Sequence, residues 1–219
     1  MNFRPSKTDR RAFRKIAEEY DLVYFGHIDP LVDTDYKMVK GLSASPHVRD
    51  ENYTAGDVYD YEVAFLQRSR MVRTLAGHKQ NRQWTILQVQ LKTAHTPHFL
   101  VDGRRRSEEY GAVLASTQRW REIGWQHVGD HPEFPHVFAT YARPLDVTAI
   151  TIILNQEVQA MLATHFPQFD YEFEDDKLIV YAVNAEIDLQ VLDHMLRVGL
   201  WLARHLDSLN HSAAVRHDG

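Results

Sequence analysis

Residues 59–65 read Tyr59-Asp60-Tyr61-Glu62-Val63-Ala64-Phe65, and residues 84–92 read Trp84-Thr85-Ile86-Leu87-Gln88-Val89-Gln90-Leu91-Lys92. In the first run the large apolar side chains fall on odd positions. In the second, Thr85, Leu87, Val89 and Leu91 share one face, and Ile86, Gln88, Gln90 and Lys92 share the other. Alternation with a period of two marks a half-buried strand, because successive side chains point to opposite faces. The connector, residues 74–83, is polar and contains Gly77. The two runs therefore predict an antiparallel hairpin.

Further short strands follow on either side. Residues 98–101 end at Asp102-Gly103, and residues 137–141 end at Arg143-Pro144. Residues 22–25 and 36–42 read as strands, whereas residues 43–56, with Pro46, Asp50, Asn52 and Gly56, read as a loop. Ser107-Glu108-Glu109 suggests a helix start, and residues 124–135 read as loop. Residues 146–153 are rich in β-branched side chains and fit either element. Asn155 is a good N-cap for a helix that Pro167 stops. Residues 171–174 and 178–182 then flank the charged turn Glu174-Asp175-Asp176-Lys177.

Helices bound the chain. Thr8 or Asp9 caps a first helix running to Tyr20, with Phe13, Ile16 and Ala17 on one face and Arg10, Arg11, Arg14 and Lys15 outside it. A basic helix of this kind suits an anionic membrane surface, but its short apolar face points to docking on the domain. The last helix carries Leu189, Leu192, Leu196, Leu200, Ala203 and Leu206 on one face and Val191, Met195, Val198 and Leu202 on a second. A helix apolar over so much of its circumference is buried on two sides, between layers of the fold or at a homodimer interface. The fold class predicted is α+β: a central antiparallel sheet, an N-terminal helix and a long, two-sided buried C-terminal helix. The domain reading is an N-terminal helix over 1–20, one α+β domain over 21–207 with lobes at 21–143 and 144–207 as a subdivision, and a disordered tail over 208–219.

The order of elements resembles a known pattern. Phe134-Pro135-His136-Val137-Phe138, then Tyr141-Ala142, then Ile153-Leu154-Asn155 opening a helix, a hairpin and a long terminal helix are similar to an uncharacterised bacterial family, a domain of unknown function in proteins regarded as membrane-associated or cytoplasmic. The resemblance spans residues 58–207 as a pattern. It implies no activity and carries no catalytic residues.

Composition bounds the function. The chain has 219 residues, 44% hydrophobic and 25% charged, as expected of a soluble globular protein, and no apolar run approaches a membrane span. The net charge of −5 argues against a dedicated nucleic-acid binder. Its distribution is uneven: residues 63–106 hold nine basic residues and one acid, and residues 168–193 hold eight acids and one lysine. Complementarity within the molecule or across a dimer accounts for this pattern, and an anionic ligand is the alternative. Cysteine is absent, which excludes disulfides, thiolate metal sites and a cysteine nucleophile and fits a cytoplasmic location. No G-x-S-x-G elbow, P-loop or G-x-G-x-x-G occurs.

Thirteen histidines are many for this length. His127, His131 and His136 with Glu133 lie within ten residues and suit a divalent metal, with Glu133 as general base in a metal-dependent hydrolase. Gly129, Pro132 and Pro135 interrupt any helix that would align them. His95 and His98 form a second pair. Arg68, Arg70 and Arg73, with Trp84, are candidates for binding an anionic ligand or partner. Val191, Met195, Val198 and Leu202 are the candidate dimer interface. The reading favoured by the sequence is a non-catalytic cytoplasmic binding or scaffolding module that needs no cofactor and takes a protein partner or self-associates. A metal-dependent hydrolase and a small-ligand-binding domain are the alternatives.

Overall fold

A computed structural model of the chain describes residues 6–27, 49–73, 79–104, 120–124, 131–183 and 187–215. The described strands are β1 (Val23–Gly26), β2 (Arg49–Val58), β3 (Tyr61–Arg73), β4 (Lys79–Gln90), β5 (Thr96–Gly103), β6 (Arg121–Glu122), β7 (Phe138–Ala142), β8 (Asp170–Asp175) and β9 (Lys177–Val183). They form one sheet in the order β1-β2-β3-β4-β9-β8-β5-β7-β6, with every neighbour antiparallel. The hairpin β8–β9 sits between β4 and β5, so the last third of the chain completes the centre of the sheet. The fold is α+β with helices at both ends, as the sequence pattern predicted.

Helix α1 (Lys7–Tyr20) begins earlier than expected. Its cap is Ser6, whose Oγ accepts from the Asp9 amide at 3.0 Å while Asp9 accepts from the Ser6 amide at 3.1 Å. This reciprocal pair satisfies two otherwise orphaned donors. Ala12, Phe13, Ile16 and Ala17 are buried.

Of the stretch read as a loop, residues 49–56 belong to strand β2, and residues 43–48 lie outside the described residues. The polar residues of β2 are tolerated there because each meets a partner across the sheet. Asp50 lies directly opposite Arg68. Asn52 sits at an irregularity between Glu51 and Thr54, with φ at 56°, donates to Gln67 Oε1 at 2.7 Å and accepts from the Tyr24 hydroxyl at 2.8 Å. Tyr59 and Asp60, expected in a strand, both have positive φ and make the two-residue turn between Val58 and Tyr61. That left-handed pair matches the twist of the flanking strands. The strand expected over residues 36–42 and most of the helix expected after Ser107 lie outside the described residues.

The remaining helices are α2 (Phe134–Val137), α3 (Val147–Ile153), α4 (Gln156–His165) and α5 (Leu189–Val215). Asn155 caps α4, as expected, by accepting from the Val158 amide at 3.0 Å. Helix α5 runs on through Val215, past the boundary expected at Ser208, since no glycine or proline interrupts residues 208–215. It lies on the sheet face formed by Phe65, Leu87, Val89, Leu178 and Val180, within one apolar cluster that also takes in α1 and α4. Tyr20 donates to Asp193 Oδ1 at 2.6 Å, tying α1 to α5; burial and that hydrogen bond push its phenol up to about 12. The Phe166 ring meets His194 at 6.4 Å, on another flank.

These contacts close both apolar faces of α5 inside a single chain. Met195, Val198 and Leu202 are at most 1% exposed, and Val191 is half-buried against the same core. Met195, Val198 and Leu202, named as candidate interface residues, are thus buried within this chain, and Val191 alone of the four stays partly exposed.

Two contacts set how α5 is seated. A Cβ on Gly199 would lie 2.8 Å from Leu87 Cδ2 and 3.1 Å from Val89 Cγ2, so glycine permits the close approach. Asp207 accepts from the amides of Thr93 and Ala94 at 2.8 and 3.0 Å and from the Tyr61 hydroxyl at 2.9 Å. Burial alone would raise its pKa, but the Thr93, Ala94 and Tyr61 hydrogen bonds outweigh it and hold the carboxyl below the usual range.

Gly199→Ala is predicted to destabilise the fold by about 1–2 kcal/mol, as overpacking exceeds the roughly 1 kcal/mol gained in helix propensity. Urea unfolding reads this directly, and a variant as stable as the parent would contradict the close packing. Asp207→Asn is predicted to cost about 1–2 kcal/mol at neutral pH, allowing for partial solvent exposure. Because the folded pKa is depressed, that contribution is present above the unfolded value near ~4 and is lost as pH falls through the folded value. The two proteins should converge in stability at low pH; a constant difference would reject the charged-acceptor role.

Candidate functional site

The sheet has a second face, turned away from α5. Along its middle, Tyr53, Leu66, Trp84, Ile86, Ile179 and Tyr181 form a separate buried apolar cluster. Polar groups stand on either side of it.

On the β2–β3 side, Arg68 Nε and Nη2 donate to the two Asp50 oxygens at 2.8 and 2.7 Å, and both side chains are almost fully buried. Fork geometry of this kind compensates the desolvation of two charges. Trp84, directly opposite Arg68, is 3% exposed. The pair expected to bind an anionic ligand is therefore internal: Arg68 is committed to a carboxylate, and Trp84 has no free face. Arg68 thus meets β2, and Arg104 meets Glu122 at 2.7 Å. Arg70 and Arg73 lie in β3, but their side chains are outside the described part.

On the β5–β8 side, Leu100 pairs with Glu172, and the Phe99 and Phe173 rings stack 4.3 Å apart on the first face. Alternation then places His98 and Asp102 of β5 on the second face with Asp170, Glu172 and Glu174 of β8. Asp102, Asp170 and Glu172 are fully buried. Asp170 accepts from the Gly103 amide at 2.9 Å. His98 Nε2 lies 2.7 Å from Glu172 Oε1, and its Nδ1 lies 3.9 Å from Glu174 Oε1. The Tyr181 hydroxyl donates to the other Glu172 oxygen. Trp120 packs edge-on against the imidazole at 4.6 Å. Glu174 Oε2 is shielded from solvent and has no hydrogen-bond partner.

One donor atom from each of His98, Glu172 and Glu174 falls within 4.8 Å of the others, the one such threesome among the described residues. His98 is about one-third exposed, so the group opens to solvent on one side. One imidazole and two carboxylates are a donor set that suits zinc or a similar divalent ion, with a coordination position left open. Nearby, Asp175 lies 2.7 Å from His95 Nδ1; this hydrogen bond raises the His95 pKa above the ordinary imidazole value, in an exposed pair.

The described members of the metal loop expected from sequence do not come together as a ligand group. His127 lies outside the described residues. Glu133 opens α2, its backbone carbonyl accepting from the His136 and Val137 amides at 3.0 and 3.2 Å, and its side chain is exposed. His131, Glu133 and His136 form no common ligand group. The sequence singled out His98 only as half of a histidine pair and took Glu174 for a turn charge. The missing signal was the long-range pairing of β5 with β8.

No protein-family model matches this chain, and no curated protein does. Among solved structures, the crystal structure of the mycobacterial trehalose monomycolate transport factor A, TtfA, is similar over 93% of this chain and 95% of that one, with a TM-score of 0.59 and 11% identity. The likeness is one of fold. It extends over nearly the whole of both chains. At this identity it transfers no site residue.

Arg68→Leu, which removes the buried cation that Asp50 faces, is predicted to destabilise the protein by about 3–5 kcal/mol, while replacing both partners by apolar residues should restore much of the loss. A double-mutant cycle by chemical unfolding measures this. A single-variant loss below about 1 kcal/mol would show that the pair is not buried as described.

Proposed function

We propose that this chain is a non-catalytic binding module, and that its ligand site is the His98, Glu172 and Glu174 cluster on the second sheet face, which takes a divalent cation of the zinc class. The observation that carries the reading is Glu174 Oε2: a carboxylate oxygen screened from water, without a partner, beside an imidazole and a second carboxylate. Such an oxygen is costly to leave unsatisfied, and a cation would satisfy it. The Tyr181 hydroxyl, buried and donating to Glu172, helps hold that carboxylate in place as a ligand. The fold likeness supports the same class, since the similar protein is named as a transport factor rather than as an enzyme. The cysteine-free composition supports a cytoplasmic setting, and the uneven charge supports a protein partner.

Isothermal titration with zinc at neutral pH tests the site. The parent is predicted to bind one equivalent more tightly than its surface histidines do. Glu174→Gln, a partly exposed position that should not disturb folding, is predicted to weaken that equivalent about tenfold or more, and His98→Ala to remove it. Identical titrations for all three proteins would reject the assignment.

A further inference from the structure

Helix α1 carries a second feature, independent of the cation site. Lys7, Arg10, Arg11, Arg14 and Lys15 are exposed and recur at helical spacing, opposite the buried Ala12, Phe13, Ile16 and Ala17. Among the described residues none of the five forms an ion pair. Arg14 is held instead over the Tyr24 ring, its guanidinium 5.2 Å from the centroid. With Glu18 they line an open groove of about 420 Å³, room for a phosphate-bearing headgroup.

This placement works against the helix that bears it. Lys7 and Arg11, Arg10 and Arg14, and Arg11 and Lys15 are like charges four residues apart, and each such pair destabilises a helix. Three of the cations also stand in the first half of the helix, toward the positive end of its dipole, with Asp9 the acid in the first turn. The last turn, where cations would be favourable, has none. Apart from the Arg14 contact with Tyr24, the stripe makes no ion pair that would hold α1 on the core among the described residues.

We infer that this stripe is a docking surface for an anionic lipid bilayer. The chain as a whole carries −5, so a partner that wraps it would meet net repulsion. A flat anionic surface can meet one exposed helix face, where the five cations outnumber the one acid, Glu18, that lies among them. A nucleic acid lacks that geometry, and the stripe carries no aromatic side chain on which bases would stack. The apolar face of α1 is already buried in the domain, so the contact is electrostatic and reversible, without insertion.

Flotation of the full chain with vesicles of phosphatidylcholine, alone or with roughly one-third phosphatidylglycerol, tests this. The protein is expected to float with the anionic vesicles only, and to be released as salt rises from about 0.1 M to about 1 M. Arg11→Gln with Lys15→Gln should lower partitioning about 25-fold, roughly fivefold per cation, whereas Arg121→Gln, an exposed cation on β6, should change it less than about twofold. Circular dichroism should be native for all. Equal partitioning into both vesicles, no partitioning, or equal loss in the Arg121 variant would overturn the proposal. So would stripe-dependent binding of oligouridylate without vesicle binding, which would make the surface a nucleic-acid site.

Discussion

The seating of α5 against β4 and β9 is the constraint on which the rest of the molecule depends. Gly199 lets the helix axis approach Leu87 and Val89 more closely than any side chain would permit. Around that contact the helix is buried in one apolar cluster with the sheet, α1 and α4. Asp207 at its far end holds the segment between β4 and β5 through amide hydrogen bonds, and so fixes where β5 begins. The position of β5 in turn decides which of its residues face away from the helix.

The sheet's other face inherits its chemistry from that arrangement. Once Phe99 and Phe173 stack on the helix side, His98 has to share the opposite face with Glu172 and Glu174. Burying carboxylates there is unfavourable unless hydrogen bonds, a cationic partner or a bound ion offset the loss of water. Arg68 does this for Asp50, and the Gly103 amide contributes for Asp170. Glu172 has Tyr181 and His98. Glu174 has one oxygen left over, which is why the cluster reads as a binding site and not merely as a polar patch.

Much of the fold was legible from the sequence, for physical reasons that differ by element. The period-two runs of β3 and β4, the Asn155 cap and the two apolar stripes of α5 are local patterns, and each appears where the pattern places it. The polar strand β2 was not legible, because Asp50 and Asn52 are stabilised by Arg68, Gln67 and Tyr24, residues distant in sequence. The same limit hid the site. The His127 to His136 loop crowds donors along the chain, yet its described members form no common ligand group. His98 and Glu172 lie 74 residues apart and are joined only by the β5–β8 register. The two faces of α5 were correctly read as two-sided, but sequence could not distinguish burial by the chain's own helices from burial by a second copy. The basic face of α1 was visible from the start; that its cations stand unpaired was not.

The measurement that tests the account most directly is anomalous diffraction at the zinc edge from crystals grown with the metal. The account predicts a peak bounded by His98, Glu172 and Glu174, at about 2 Å from a donor atom of each. A peak at His131 or His136 instead, or none within reach of Glu174, would contradict it.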